Sequence, residues 1–186
     1  MTDDQKQIVL GTLLGNGFIC NAKNNYLCIQ HSCDYCAYFR SKIIHLDEFG
    51  RSNPWYKKKN ICGWRSSCSP IWREFKKMCY QDSKKTVTMD WLDQLRAIGI
   101  AVWYGDSGCL AGYKQRNACL RTQSFGKQGN EIIAQYFNEI GIECHLNKSK
   151  KSYVIVFTVE SSQILFKMVA PFVHPSMYDK LLKGDI

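Results

Sequence analysis

The amino-acid sequence predicts an α+β protein made of two similar halves, each running α-β-β-α-β-β-α. Two observations carry this prediction. Apolar stretches with small residues set into them occur at residues 9–17 and 100–108, about half a chain apart, and the same order of alternating and helical segments follows each one. A glycine inside a helix costs roughly 0.5–1 kcal/mol relative to alanine, so a helix that keeps two implies a close backbone neighbour. The two stretches are therefore expected to pack side by side, bringing Asn16 and the pair Asp106-Ser107 together at one end of a shared seam. Each closes on a glycine, Gly17 or Gly108, suited to the left-handed conformation that ends many helices.

Residues 5–14 form the first helix, with Thr2, Asp3 or Asp4 available as its N-cap. Residues 18–20 and 26–31 read as strands joined by a polar turn at 21–25. Over residues 34–44, Tyr35, Tyr38, Phe39 and Ile43 recur at helical spacing, which marks a core-facing stripe. A lysine-rich turn then leads into a strand at 61–66, where the two-residue period groups Arg65 with Ile61 and Gly63. Pro70 opens a helix over 70–80 with Ile71, Phe75 and Met78 inward and Arg73, Lys76 and Lys77 outward.

After a turn at 89–95 the order repeats, so the halves divide as 1–95 and 96–186. Strands are expected at 109–113 and 117–124, a helix at 130–140, strands at 142–147 and 153–159 around a basic turn, and a helix at 161–169. Pro171 and Pro175 mark a break before a last short helix at 176–182. In the strand at 117–124, alternation sets Cys119, Arg121 and Gln123 on one face and Ala118, Leu120 and Thr122 on the other.

Composition narrows the function classes. At 186 residues with 45% apolar and 13% aromatic content, the chain suits a packed core and not a disordered segment. The start reads as no signal peptide, and no apolar run approaches the length that spans a bilayer. A formal charge of +9 favours a polyanionic partner. Ten cysteines without a secretory signal suggest free thiols in a reducing compartment. A zinc site drawn from His31, Cys33, Cys36, Cys62 and Cys68 is the alternative, disfavoured by the wide spacing of the last two.

Gly11 and Gly17, together with Ile100-Ala101-Val102-Trp103-Tyr104, Ser83-Lys84-Lys85-Thr86-Val87, Leu120-Arg121-Thr122-Gln123-Ser124-Phe125 and Pro175-Ser176-Met177-Tyr178-Asp179-Lys180-Leu181, stand in an order that resembles a known family over the whole chain. It is that of the single-chain, intron-encoded LAGLIDADG homing endonucleases. The resemblance implies a monomer with internal pseudo-two-fold symmetry, paired helices between its halves, and antiparallel sheets forming a basic saddle along double-stranded DNA. It also implies an aspartate just before each closing glycine, the two holding divalent metal for phosphodiester hydrolysis. Here those positions are Asn16 and Ser107.

Asp106 remains one position earlier, about 100° around the helix, and is the candidate ligand for Mg2+ if the protein is catalytically active. Lys85 and Lys180 match lysines that approach the scissile phosphates in relatives. Arg65, Arg116, Arg121 and Gln123 are the expected base contacts, and Lys57, Lys58, Lys59, Lys148, Lys150 and Lys151 the expected backbone contacts. The reading is a nucleic-acid-binding protein whose cleavage is weak or lost. Its alternatives are an active site-specific endonuclease using Asp106, and a maturase or ribonucleoprotein component holding structured RNA. A mitochondrial or phage intron setting fits the resemblance.

Overall fold

The computed structural model describes residues 1–20, 25–57, 60–149 and 152–181. In chain order the elements are α1 (Asp3–Leu14), β1 (Gly17–Cys20), β2 (Tyr26–Ser32), α2 (Cys36–Ile44), β3 (Trp55–Lys57), β4 (Ile61–Arg65), α3 (Pro70–Cys79) and the two-residue ribbon β5 (Tyr80–Gln81) and β6 (Lys84–Lys85). They continue as α4 (Met89–Leu92), α5 (Ala97–Ser107), β7 (Gly108–Ala111), β8 (Asn117–Leu120), α6 (Gly126–Glu139), β9 (Cys144–Ser149), β10 (Ser152–Phe157) and α7 (Val159–Val169). A 3-10 segment, Pro175–Lys180, stands where a last helix was expected, and Leu182 lies outside the described residues.

Two four-stranded antiparallel sheets, ordered β1-β2-β4-β3 and β7-β8-β10-β9, are flanked by the helices. The duplication holds at the level of single residues. Gly17 pairs with Ile29 in the first sheet and Gly108 with Leu120 in the second. The Gln30 amide donates to the Asn16 carbonyl, and the Arg121 amide to that of Ser107. Each of these residues stands 91 positions from its counterpart.

The seam between the halves is α1 against α5. Thr2 caps α1 in a capping box with Gln5, which settles the choice among the three candidate caps. Residues 7–14 of α1 and 99–105 of α5 are buried on every side, so these helices run through the middle of the core. Gly11 makes their approach possible: a Cβ there would lie 2.2 Å from the Gly99 carbonyl oxygen. Gln7 spans the seam as well, donating to the Gln94 carbonyl at 2.7 Å and accepting from the Arg96 amide at 2.6 Å. Neither helix ends on a left-handed glycine. Gly15 caps α1 at φ −100° and Gly108 caps α5 at φ −75°, and a Cβ at either would meet a neighbour closer than 2.5 Å.

Other departures from the expected elements have local causes. β8 stops at Leu120 because Thr122 turns inward, and its hydroxyl donates to the Asn130 side chain. Asn130 in turn donates to the carbonyls of Thr122 and Gly126, so it braces the first turn of α6 from within, and α6 begins at Gly126 and not at 130. β7 ends at Ala111, where Gly112, Lys114 and Gln115 all take positive φ. In α3 the buried set is Trp72, Phe75 and Cys79, so the helix is rotated from the expected Ile71, Phe75, Met78 stripe. In α2, Tyr38, Phe39 and Ile43 are buried as expected, but Tyr35 is at the surface and Lys42 is inside. Among the described residues no helix is long and apolar enough to cross a membrane.

Candidate nucleic-acid interface

The end of the α1–α5 seam holds the polar groups that the sequence brings into suspicion. Asn16 lies just past the end of α1 and Ser107 is the last residue of α5, and the Asn16 backbone amide donates to Asp106 Oδ2 at 3.0 Å. The expected meeting of Asn16 with Asp106-Ser107 is therefore found, and α5 stays helical through Asp106 without unwinding. The Asp106 carboxylate points inward and its side chain is wholly buried. Lys42 Nζ, from α2 of the other half, lies 2.7 Å from Oδ1, and His31 Nε2, from β2, lies 3.3 Å from the same oxygen. Both oxygens are thus occupied by donors of this chain.

Electrostatics follow from that burial. Desolvation alone would raise the Asp106 carboxyl, but the Lys42 ammonium, His31 and the Asn16 amide together hold it well below the usual carboxylate range. Lys42 is lowered by its own burial against the pull of Asp106, and its ammonium lies 4.8 Å from the centre of the Tyr38 ring. His31 is lowered by burial and by Lys42. Asn16 Nδ2 faces His31 Nδ1 at 3.3 Å, which fits the neutral tautomer with its proton on Nε2, the nitrogen nearer Asp106. Tyr38 donates to the Val102 carbonyl at 2.9 Å and closes the cluster from below.

Room for this arrangement comes from a glycine. Gly15 is the counterpart of Asp106 in the first half, and a Cβ on it would stand 2.3 Å from Asp106 Cβ. Only one of the two pseudo-equivalent positions can bear a side chain. Beside Asp106, the side-chain groups left for a divalent cation among the described residues are the Asn16 carbonyl oxygen and the Ser107 hydroxyl, both neutral. Magnesium favours hard, anionic oxygens, and this donor set does not suit it. Among the described residues no three His, Cys, Asp or Glu side chains gather into a metal-holding group, and no disulfide joins the cysteines.

Lys85 and Lys180 come to matching places. Lys85 Nζ donates to the carbonyls of Leu13 at 2.7 Å and Gly17 at 2.6 Å, and Lys180 Nζ to that of Gly105 at 2.6 Å. Each ammonium thus sits at the negative end of one seam helix. Burial lowers both, Lys85 to about 8.

The sheets turn a second face away from the core. Arg65 stands there with Gly63 and Ile61, as expected, beside a hollow lined by Phe18, Tyr26, Cys28, Gln30 and Trp55. On the second sheet, Ala118 and Leu120 enter the core, while Cys119 faces outward with Val154 and Val156. Arg116 and Arg121 are exposed, and Gln123 is exposed on the 3-10 turn Gln123–Phe125, past the end of β8. Lys148 pairs with Tyr153 and shares a strand face with Leu146 and Cys144, the core side; His145 and Asn147 take the outer face in its place. Lys58, Lys59, Lys150 and Lys151 lie outside the described residues, and of Lys57 only the backbone is described.

Duplicated sheets around a glycine-tight helix pair, with lysines on the ends of both helices, define a class of protein. Residues 6–165 match the sequence model of the LAGLIDADG DNA endonuclease family, and the chain belongs to that family. Its fold is the LAGLIDADG homing endonuclease fold. It is similar to a protein of Wickerhamomyces canadensis called probable intron-encoded endonuclease 1, at 26% identity over 96% of this chain and 84% of that protein. It also resembles the RecA protein of Mycolicibacterium flavescens, at 27% identity, where it spans 47% of that longer chain. Among solved structures, the homing endonuclease I-WcaI bound to its DNA recognition sequence superposes with a TM-score of 0.88 at 21% identity, over 98% of this chain and 88% of that one. The structure of I-DmoI in complex with DNA and Mn gives 0.55 at 14% identity, over 92% of this chain and 98% of that one.

Lys42 was not foreseen at the seam, and His31 stood out in the sequence only as a candidate zinc ligand, not as a partner of Asp106. Lys42 carried a signal, because it lies four residues after Tyr38 and beside Ile43 on a stripe otherwise read as apolar. A cation on a core face requires a buried anion.

Proposed function

We propose that this chain binds nucleic acid along the outer faces of its two sheets and cleaves it poorly or not at all. The observation that carries the reading is Asp106: this carboxylate at the end of the seam is neutralised by Lys42 and His31, and the flanking Asn16 and Ser107 bring no negative charge. Each 1.36 kcal/mol lost from transition-state stabilisation slows a reaction about tenfold, so the loss of both family aspartates amounts to several orders of magnitude. Double-stranded DNA is the favoured ligand, supported by the DNA-bound I-WcaI, by the charge of +9 and by the outward Arg65, Arg116, Arg121 and Gln123. Lys57, Lys58, Lys59, Lys150 and Lys151 serve the phosphates in this proposal, and His145 and Asn147 take the outer-face place expected of Lys148.

The chain acts as a monomer whose halves divide between residues 95 and 96, and the intron-encoded relative supports an intron setting. Structured RNA is the second reading. Phe18, Tyr26 and Trp55 around one hollow favour it, since unpaired bases stack on aromatic rings. Plasmid nicking in Mg2+ or Mn2+ tests the proposal. The native chain is expected to leave supercoiled plasmid intact, and Asn16→Asp with Ser107→Asp to gain nicking. Nicking by the native chain that Asp106→Asn removes would overturn it in favour of an active enzyme. A discrete RNA that co-purifies and competes with duplex DNA would move the assignment to RNA.

A further inference from the structure

The outer face of the second sheet carries a pair of thiols. Cys109 on β7 and Cys119 on β8 stand directly opposite each other in the antiparallel register. Such partners have Cβ atoms about 4.5–5.5 Å apart, a small adjustment from the roughly 3.5–4.5 Å of a disulfide. Both side chains share the outward face with Val154, Val156 and Ala111. Cys119 is buried, whereas Cys109 is open in part to solvent.

The surroundings separate the two sulfurs chemically. A hydrogen bond from the Cys119 thiol, helped by the Arg121 guanidinium and the Lys180 ammonium, pulls the Cys109 thiol down to about 6. Cys119 is pushed up by the same hydrogen bond and by burial. The duplication supplies an internal contrast: in the first sheet Phe18 takes the place of Cys109, opposite Cys28. There burial pushes the Cys28 thiol up to about 11.

We infer that Cys109 and Cys119 form an oxidation site for a peroxide-class oxidant, with Cys109 attacking and Cys119 resolving. The Cys109 thiolate sulfur attacks one peroxide oxygen, the O–O bond breaks, and the departing hydroxide takes a proton to leave as water, with Cys109 now a sulfenic acid. The Cys119 sulfur then attacks the sulfenic sulfur as its thiol proton is given up. The S–S bond forms, the S–O bond breaks, and a second water leaves. Two thiols and one hydrogen peroxide thus become one disulfide and two waters.

The chemistry is read by mass and does not depend on whether the protein binds nucleic acid. The full chain is treated with one equivalent of hydrogen peroxide, alkylated with iodoacetamide and digested with trypsin without reduction. Lys114 and Arg116 lie between the two cysteines, so the digest places them on separate peptides unless they are linked. The expected result is a linked Cys109–Cys119 peptide pair, two hydrogens lighter than the sum, as the first disulfide formed. In the untreated chain at pH 7, Cys109 is expected to alkylate at least tenfold faster than Cys28. Cys119→Ser is expected to leave Cys109 as a sulfenic acid that dimedone captures. A first linkage between other cysteines, no linkage, or a Cys109 that alkylates no faster than Cys28 would each overturn the inference.

Discussion

Replacing Lys42 by methionine probes the buried charges at the seam most directly, because the new side chain keeps most of the lysine stem and removes only the cation. At 2.7 Å from Asp106 Oδ1, and with an effective dielectric constant of about 20, the gross attraction is about 6 kcal/mol. Much of that offsets the desolvation of the two groups. What matters for the variant is the carboxylate left behind, wholly buried with only the Asn16 amide and His31 as partners. Removing one partner of a buried pair costs about 3–5 kcal/mol. With a urea dependence of about 1–3 kcal/mol/M, the unfolding midpoint should fall by roughly 1–5 M. Lys42→Met with Asp106→Leu removes both charges and should recover most of that loss relative to Lys42→Met alone, about 3 kcal/mol or more. Loss of the cation should also raise His31, which Lys42 now helps to lower, and the ring titration can be followed by NMR. A Lys42→Met midpoint within experimental error of wild type, with an unmoved His31 titration, would refute the reasoning.

Acid should destabilise the protein in two stages. The folded-state value of His31 lies below its unfolded value of about 6.5, so below that pH the unfolded chain binds the proton more readily and stability falls. Asp106 is also lowered in the fold, so its contribution is intact above its unfolded value of about 4 and is lost progressively as pH falls below that towards the depressed folded-state value. Urea midpoints measured from pH 7 to pH 3 should decline accordingly, and Asp106→Asn should flatten the lower stage. Gly11→Ala forces a Cβ to within 2.2 Å of the Gly99 carbonyl oxygen, a backbone atom that cannot swing away, and should cost about 3 kcal/mol or more, read as a loss in thermal midpoint. On the nucleic-acid reading, Arg65→Ala and Arg121→Ala should each weaken duplex binding and reduce the slope of log affinity against log salt by about 1 where the arginine meets phosphate, measured by fluorescence anisotropy.

The helix pair was legible in the sequence because its cause is local. Gly11 among apolar residues signals close packing, and Asn16 and Asp106 meet where the two apolar stretches end. The places of the main strands along the chain were legible for the same reason, since alternation survives in a single short segment. Element ends were less so. The end of β8 at Leu120 and the start of α6 at Gly126 are both decided by Asn130 reaching back to Thr122, a bond that periodicity cannot express. The Lys42–Asp106 pair lay furthest from view, because its members are 64 residues apart and belong to different halves. Neither residue is unusual until the other is placed beside it. Lys148 shows the reverse error: basic character suggested an outward role, and strand parity gave it to His145 and Asn147.

Gly15 and Asp106 occupy equivalent places in the two halves, and the space between them admits a single carboxylate. Two copies of the second half, joined as a homodimer, would press two like charges into one dry hole with a doubled set of claims on it. Two copies of the first would leave Lys42 and His31 with no anion. The halves have diverged into lock and key, and a cut between them should yield fragments that seek each other and shun themselves.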